Sequence, residues 1–193
     1  TPDDDQCLIV GLLLSEGVIA NADCIVCMEL DDDAKDHNRW HVQIEQSYFA
    51  RLVHINKYQP TYSSCGLCGT TSIQHFETKH NINLCRRDGW LIPEMLYDLA
   101  NLMKDRQQVF SLTGGVHGAC LFSQFGEFIA LKEDIGRHNA LDKLLGYMAL
   151  EQPSVDIQQS ILLLSSRISL EMVQKALVAG IPVLVAVGGA SDL

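Results

Sequence analysis

SILLLSSRISLEMVQKALVAGIPVLVAV, residues 160–187, decides the fold. SILLLSS and IPVLVAV are apolar along almost their whole length. A strand of that kind is buried on both faces, as in a parallel sheet covered by helices. SLEMVQKALVAG between them reads as a helix that Ser169 caps and Gly180 stops. Strand, helix and strand in this order predict a parallel βαβ unit.

Upstream, RHNALDKLLGYMALE (137–151) reads as a helix with Leu141, Leu144, Leu145 and Met148 on one apolar face. TGGVHGACLFSQFGEFIALKEDIG (113–136) reads as a glycine turn and two strands around a tight Phe-Gly-Glu turn. That hairpin adds antiparallel pairing, so the expected fold is α/β with a mixed sheet covered by helices. IPEMLYDLANLMKDRQQVF (92–110) has helical spacing at Met95, Leu96, Leu99, Leu102 and Met103, with Pro93 near its first turn.

At the start, TPDDD (1–5) suits a helix N-terminus, and CLIVGLLLSEGVI (7–19) reads as a buried helix. ADCIVCMEL (22–30) and RWHVQIEQSYFARLVHI (39–55) read as strands separated by the polar turn 31–38. The stretch 59–83 is loop-like. The expected division is an N-terminal α+β part, 1–60, and a larger α/β domain, 61–193. No internal repeat is seen.

The chain has 193 residues, 47% of them hydrophobic, enough for a full core. Its net charge of −10 argues against a chain that coats nucleic acid or anionic lipid. Seven cysteines spread through apolar segments suit a reducing cytoplasm better than a disulfide framework. The early apolar run 8–14 meets Glu16 far short of the roughly 20 residues of a membrane span. The chain lacks an initial Met and stops after a strand-like segment, so a piece of a longer protein is expected, truncated at its C-terminus.

SSCGLCGT (63–70) sets Cys65 and Cys68 three apart with a glycine after each. Zinc needs about four ligands. Cys24 and Cys27 have metal spacing, but alternation in a strand points them to opposite faces. His75, His80 and Cys85 show no recognisable pairing. A redox pair favours a helix N-terminus, whereas TTSIQHFETKHN (70–81) is poorly helical. A sulfur carrier is the third option: a thiolate takes up sulfur as a persulfide and hands it on. The turn by itself leaves these open.

A second cluster lies in TGGVHGA (113–119) and EDIGRHNALDK (133–143). Gly114 and Gly115 would let backbone N–H groups face an anion. His117 opens a strand, and Glu133, Asp134, Arg137 and His138 surround a strand-to-helix turn, where open α/β sheets bind ligands. Taken singly, these residues also suit ordinary roles: Asp134 or Asn139 as a cap, Arg137 paired with Glu133.

SSCGLCG, TGGVHGA, EDIGRHNALDK and SSRISLEMVQKA (165–176), in this order, resemble the FdhD/NarQ family of formate dehydrogenase accessory sulfurtransferases. The N-terminal TPDDDQCLIVGLLLSEGVI resembles that family's opening. The resemblance implies a cytidine deaminase-like α/β sandwich with a smaller N-terminal part. It implies a cytoplasmic homodimer that takes sulfur from a cysteine desulfurase as a cysteine persulfide. That sulfur goes to bis-molybdopterin guanine dinucleotide, the cofactor that formate dehydrogenase needs in sulfurated form. The persulfide-bearing residue corresponds to Cys65, with Cys68 its companion, and no metal is bound by the protein itself. Arg86, Arg87, Arg137 and Lys143 are the candidates to make the thiol's surroundings positive and to meet phosphates.

Two small departures are Ser165-Ser166-Arg167 where the family commonly has Ser-Gly-Arg, and Gly118 where Ala is frequent. The family also continues past residue 193 with a segment that contributes to cofactor binding. Zinc deaminases use H-x-E followed by P-C-x-x-C. Here the cysteine turn precedes His117, no Pro stands before Cys65, and His117-Gly118-Ala119 has no Glu, so deamination is not expected. The alternatives kept are a non-catalytic chaperone for the molybdenum cofactor and a zinc-stabilised binding module.

Overall fold

A computed structural model describes residues 1–31, 39–54, 84 and 91–190. The boundary expected near residue 60 lies outside them. α1 (Asp5–Ser15) is followed by the antiparallel pair β1 (Ile25–Leu30) and β2 (Trp40–Ile44). Then come α2 (Met95–Arg106), α3 (Gln108–Thr113), β3 (His117–Ser123), β4 (Phe128–Asp134) and α4 (Arg137–Glu151). β5 (Ser160–Leu164), α5 (Leu170–Val178) and β6 (Val183–Ala186) complete the chain's described elements.

The larger sheet has the order β4-β3-β5-β6. β3 runs antiparallel to both β4 and β5, while β5 and β6 are parallel across α5. The mixed sheet and the βαβ unit therefore stand as expected. Alternation sorts the strand residues between two cores. Ala119, Leu121, Ala130, Leu162 and Leu164 face α4 and α5, where Leu141, Leu144, Leu145, Met148 and Met172 meet them. Cys120, Phe122, Ile161 and Leu163 face α2 through Leu99 and Met103.

α4 is buried on more than its sheet-facing side, because α1 lies across its back. The two helices touch backbone to backbone at a pair of glycines. A Cβ on Gly11 would stand 1.7 Å from the Asp142 carbonyl oxygen, and one on Gly146 1.8 Å from that of Cys7. α1 also supplies Leu13 to a smaller core with Val18, Ile19, Cys24 and Ile44 beneath the β1–β2 pair. One helix thus serves both parts of the expected division.

Three expected elements end early. α1 stops at Ser15, because the N–H groups of Glu16, Gly17 and Val18 turn back onto its last carbonyls and Gly17 is left-handed at φ 68°. The segment 39–55 is a strand only to Ile44; Gln46–His54 is 3-10 helix. Tyr48 and Leu52, four apart, pack on the smaller core at helical spacing. The helix expected over 92–110 breaks at Gln107, whose ψ of 82° and burial end α2 before α3 begins. No described helix is long and apolar enough to cross a membrane.

Candidate functional site

β4, β5 and β6 all point one way, so their C-terminal ends meet the start of β3 at one edge of the sheet. α4 and α5 begin at that edge. Strand C-terminal ends with helix N-termini beside them are where α/β sheets place ligands. The edge gathers His117, Glu133, Asp134, Arg137 and His138 as the sequence suggests. It also gathers residues the sequence did not assign to this cluster: Ser165, Arg167, Ser169 and Glu171.

Register draws the first group together. His117 lies opposite Asp134 and Gly118 opposite Glu133 on the β3–β4 ladder. β5 is tied in by a reciprocal pair: Gly118 N–H donates to Ser165 Oγ at 2.8 Å, and Ser165 N–H to the Gly118 carbonyl at 3.0 Å. Gly118 has little room for a side chain, since a Cβ there would meet Met103 Cε at 2.7 Å and Gln107 Nε2 at 2.8 Å.

Asp134 is sealed from solvent, and its oxygens are engaged inside the protein. Oδ1 accepts the Gly136 N–H at 2.9 Å, and Oδ2 faces Lys143 Nζ at 2.8 Å, short of good hydrogen-bond alignment. The Thr1 nitrogen is 3.1 Å from Oδ2. Burial alone would raise this carboxyl; the Lys143 ammonium and the Gly136 N–H outweigh it and hold the pKa at about 2. Asp134 therefore shapes the turn before α4 and cannot touch a ligand directly. Lys143, at 1% side-chain exposure, is equally spent: it meets Asp134 and donates to the Thr1 carbonyl at 2.9 Å. It is not available to meet phosphate, a correction to the sequence expectation.

Glu133 is engaged too, though not with Arg137. Its carboxylate accepts the N–H groups of Val109 and Phe110 at 2.8 and 2.9 Å, closing the first turn of α3. This explains why α3 restarts after Gln107. Gly114, left-handed at φ 63°, caps α3 by donating to the Phe110 carbonyl at 2.7 Å, and Gly115 N–H reaches Thr113 Oγ1 at 3.2 Å. Both glycine N–H groups are used within the chain, so the anion cradle expected of them is not what their geometry offers.

His117, Arg137 and His138 remain partly open to solvent. Burial pushes the His117 imidazole below its ordinary pKa, and the nearby Arg137 charge adds to this. Burial pushes His138 down as well, against an upward pull from Glu171, whose Oε2 lies 3.2 Å from His138 Nε2. Ser169 Oγ donates to the same oxygen at 3.2 Å. Both imidazoles are held toward the neutral form beside a permanent cation. Glu171 stands 33 residues after His138, and only the packing of α4 beside α5 brings them together; no local signal marks the pair.

Cys65, Cys68, His75, His80, Cys85, Arg86 and Arg87 lie outside the described residues. Cys24 is buried beneath the β1–β2 pair, whereas Cys27 is partly exposed with Sγ 3.2 Å from Glu29 Oε1, and both are free thiols. Among the described residues no three His, Cys, Asp or Glu side chains gather as a metal site. A cleft of about 490 Å³ is lined by Ile19, Leu145, Met148, Val155 and Val178, at the far ends of α4 and α5 from the charged edge.

Relatives and a solved structure match along the whole chain. A protein of Corynebacterium efficiens named sulfur carrier protein FdhD is 38% identical over 208 residues, covering 100% of this chain and 72% of that one. One of Streptomyces avermitilis with the same name is 39% identical over 199 residues, covering 100% of this chain and 70% of that one. A crystal structure from Desulfotalea psychrophila, described as a formate dehydrogenase accessory protein, shares the fold. Its TM-score is 0.67 at 21% identity, over 100% of this chain and 67% of that one. The FdhD/NarQ family model matches residues 1–193, and with relatives this similar along its length the chain belongs to the FdhD/NarQ family.

Proposed function

We propose that this chain is a sulfur carrier that serves the maturation of formate dehydrogenase. The observation that carries the reading is the full-length match to proteins named sulfur carrier protein FdhD, over a span that includes the Cys65–Cys68 turn. In this reading the Cys65 thiolate attacks the outer sulfur of a cysteine desulfurase persulfide. The S–S bond of the donor breaks, the desulfurase cysteine leaves as thiolate, and Cys65 holds the persulfide. The outer sulfane sulfur then passes to bis-molybdopterin guanine dinucleotide, the substrate of the transfer, whose reduced molybdenum would supply the electron pair for the new bond as the S–S bond breaks and Cys65 leaves as thiolate. Cys68 is the companion thiol, suited to relay the sulfur or to release the product.

The strand-end edge supports a phosphate-bearing ligand in this role. Arg137 opens α4 between two imidazoles, and the acids beside it, Glu133 and Asp134, are committed elsewhere. A cytoplasmic homodimer acting with a desulfurase and formate dehydrogenase completes the proposal.

Mass spectrometry after incubation with a cysteine desulfurase and cysteine tests it. One added sulfur on Cys65, lost in Cys65→Ala together with formate dehydrogenase activation, is the expected result. Full activation by Cys65→Ala would instead point to a non-catalytic cofactor chaperone.

A further inference from the structure

We propose that α3 is a hinged strap, latched to the sheet by the Glu133 carboxylate, that opens as a unit while the rest of the fold stays closed. This device goes beyond the carrier reading and does not depend on it.

α3 is bonded well within itself and poorly to everything else. Ser111 N–H donates to the Gln107 carbonyl at 3.0 Å, and Gly114 N–H to that of Phe110 at 2.7 Å. Side chains tighten the same turns: Ser111 Oγ donates to the Gln108 carbonyl at 2.7 Å and Thr113 Oγ1 to that of Val109 at 2.8 Å. None of its six residues is buried. None belongs to the three described cores or packs on them. Among the described elements, none packs closely against α3. Val109, Phe110 and Leu112 are its large apolar side chains, and all three are exposed, Leu112 at 86%. A helix this short does not hold its shape by propensity alone, and no buried face supplies the rest.

One side chain ties it down. Glu133 Oε2 accepts the Val109 N–H and Oε1 the Phe110 N–H. Such bonds are charge-assisted, and the dipole at a helix start favours the carboxylate. Among the described residues, no other hydrogen bond ties α3 to the sheet. Glu133 itself is fixed, because β4 pairs it with Gly118, which is bonded both ways to Ser165.

Both ends of the strap can turn. The upstream pivot is Gln107, where a ψ of 82° breaks the run from α2. Gln107 is 7% exposed, and its Nε2 has no hydrogen-bond partner. A buried amide without a partner penalises the docked arrangement, and opening at this residue lets water reach it. The downstream pivot is Gly114-Gly115. Gly114 is left-handed, and a Cβ on it would meet nothing within 4 Å. Two residues after Gly115, His117 opens β3, so the strap swings beside the strand-end edge and its opening uncovers the Glu133 carboxylate there.

Native-state hydrogen exchange, followed residue by residue by NMR on the full chain, tests this. The amides of Val109, Phe110, Ser111 and Gly114 are expected to be protected yet to exchange together, about a hundredfold or more faster than those of Leu121 and Leu163. Urea below the unfolding transition should speed Leu121 and Leu163 and leave the α3 amides nearly unchanged. Glu133→Gln should speed the α3 amides by about tenfold, and Gln107→Met should slow them by about fivefold. Melting temperatures confirm that each variant is folded; Glu133→Asp, with its reach one methylene shorter, takes the place of Glu133→Gln if that variant unfolds. If the α3 amides exchange only together with Leu121 and Leu163, with the same urea dependence, α3 belongs to the cooperative fold and the strap is overturned. Wild-type α3 amides without protection would show that no latched state exists. Unchanged α3 exchange in a folded Glu133 variant would show that this carboxylate is not the latch.

Discussion

Lys143 Nζ stands 2.8 Å from Asp134 Oδ2, and neither side chain reaches solvent: their exposures are 1% and 0%. The pair joins the end of β4 to the body of α4 and fixes the turn that presents Arg137 and His138.

Removing one partner of a buried pair leaves the other charge uncompensated, so Asp134→Asn should lower stability by about 3–5 kcal/mol. The pH dependence follows from the depressed pKa. Asp134 titrates near 2 in the fold, below its ordinary 3.8. Its stabilisation is therefore complete above about pH 4 and lost as pH falls toward 2, a swing of roughly 2–3 kcal/mol. Urea unfolding at several pH values should show that acid loss in the wild type and a smaller one in Asp134→Asn. Equal acid loss in both would refute the assignment.

The α1–α4 contact makes a second prediction. A methyl on Gly146 must push two helix backbones apart, whereas one on Gly115 would meet nothing nearer than the Thr113 carbonyl oxygen at 3.8 Å. Gly146→Ala and Gly11→Ala should each destabilise by about 3 kcal/mol or more, at or beyond the upper end of ordinary overpacking. Gly115→Ala should change stability by less than about 1 kcal/mol. Denaturant midpoints for the three variants decide it.

α1, α4 and α5 share a second buried charge. Lys175 Nζ lies 3.0 Å from Asp142 Oδ1 and donates to Ser15 Oγ at 2.8 Å, while Ser15 Oγ donates to Asp142 Oδ1 at 2.7 Å. Burial pushes Asp142 up. It pulls Lys175 down, but the Asp142 and Glu16 carboxylates more than offset this and raise it. Lys175→Met should cost about 3–5 kcal/mol, and adding Asp142→Leu should restore much of that. A double variant no more stable than the single one would show that packing, not charge, dominates here.

His138 gives a test by titration. Glu171 pulls its pKa up against the effect of burial. Glu171→Gln should therefore move the His138 midpoint lower still in NMR titration, with His117 little changed. A rise, or no change, would mean that Glu171 does not set this imidazole.

Much of the fold was legible in the chain. Continuous apolar strands around a Gly-stopped helix announce the parallel β5–α5–β6 unit, because burial on both faces permits no polar alternation. The hairpin and α4 were equally clear from Gly126, the tight turn and the apolar face at Leu141, Leu144 and Leu145. Family membership was legible too, since it resides in residue order.

Less visible was what each charged residue does. Glu133, Asp134, Arg137 and His138 are neighbours in sequence, yet Glu133 holds α3, Asp134 holds Lys143, and Arg137 meets neither of these acids. Composition and spacing tell which groups can ionise. Whether a carboxylate is a ligand contact or a buried strut depends on which distant backbone N–H or ammonium packs against it, and chain order does not encode that. Glu171 beside His138, Arg167 at the same edge, and α1 pressed onto α4 through Gly11 and Gly146 are decided only in three dimensions. Long-range packing brings those groups together, and burial then sets their charge and reach.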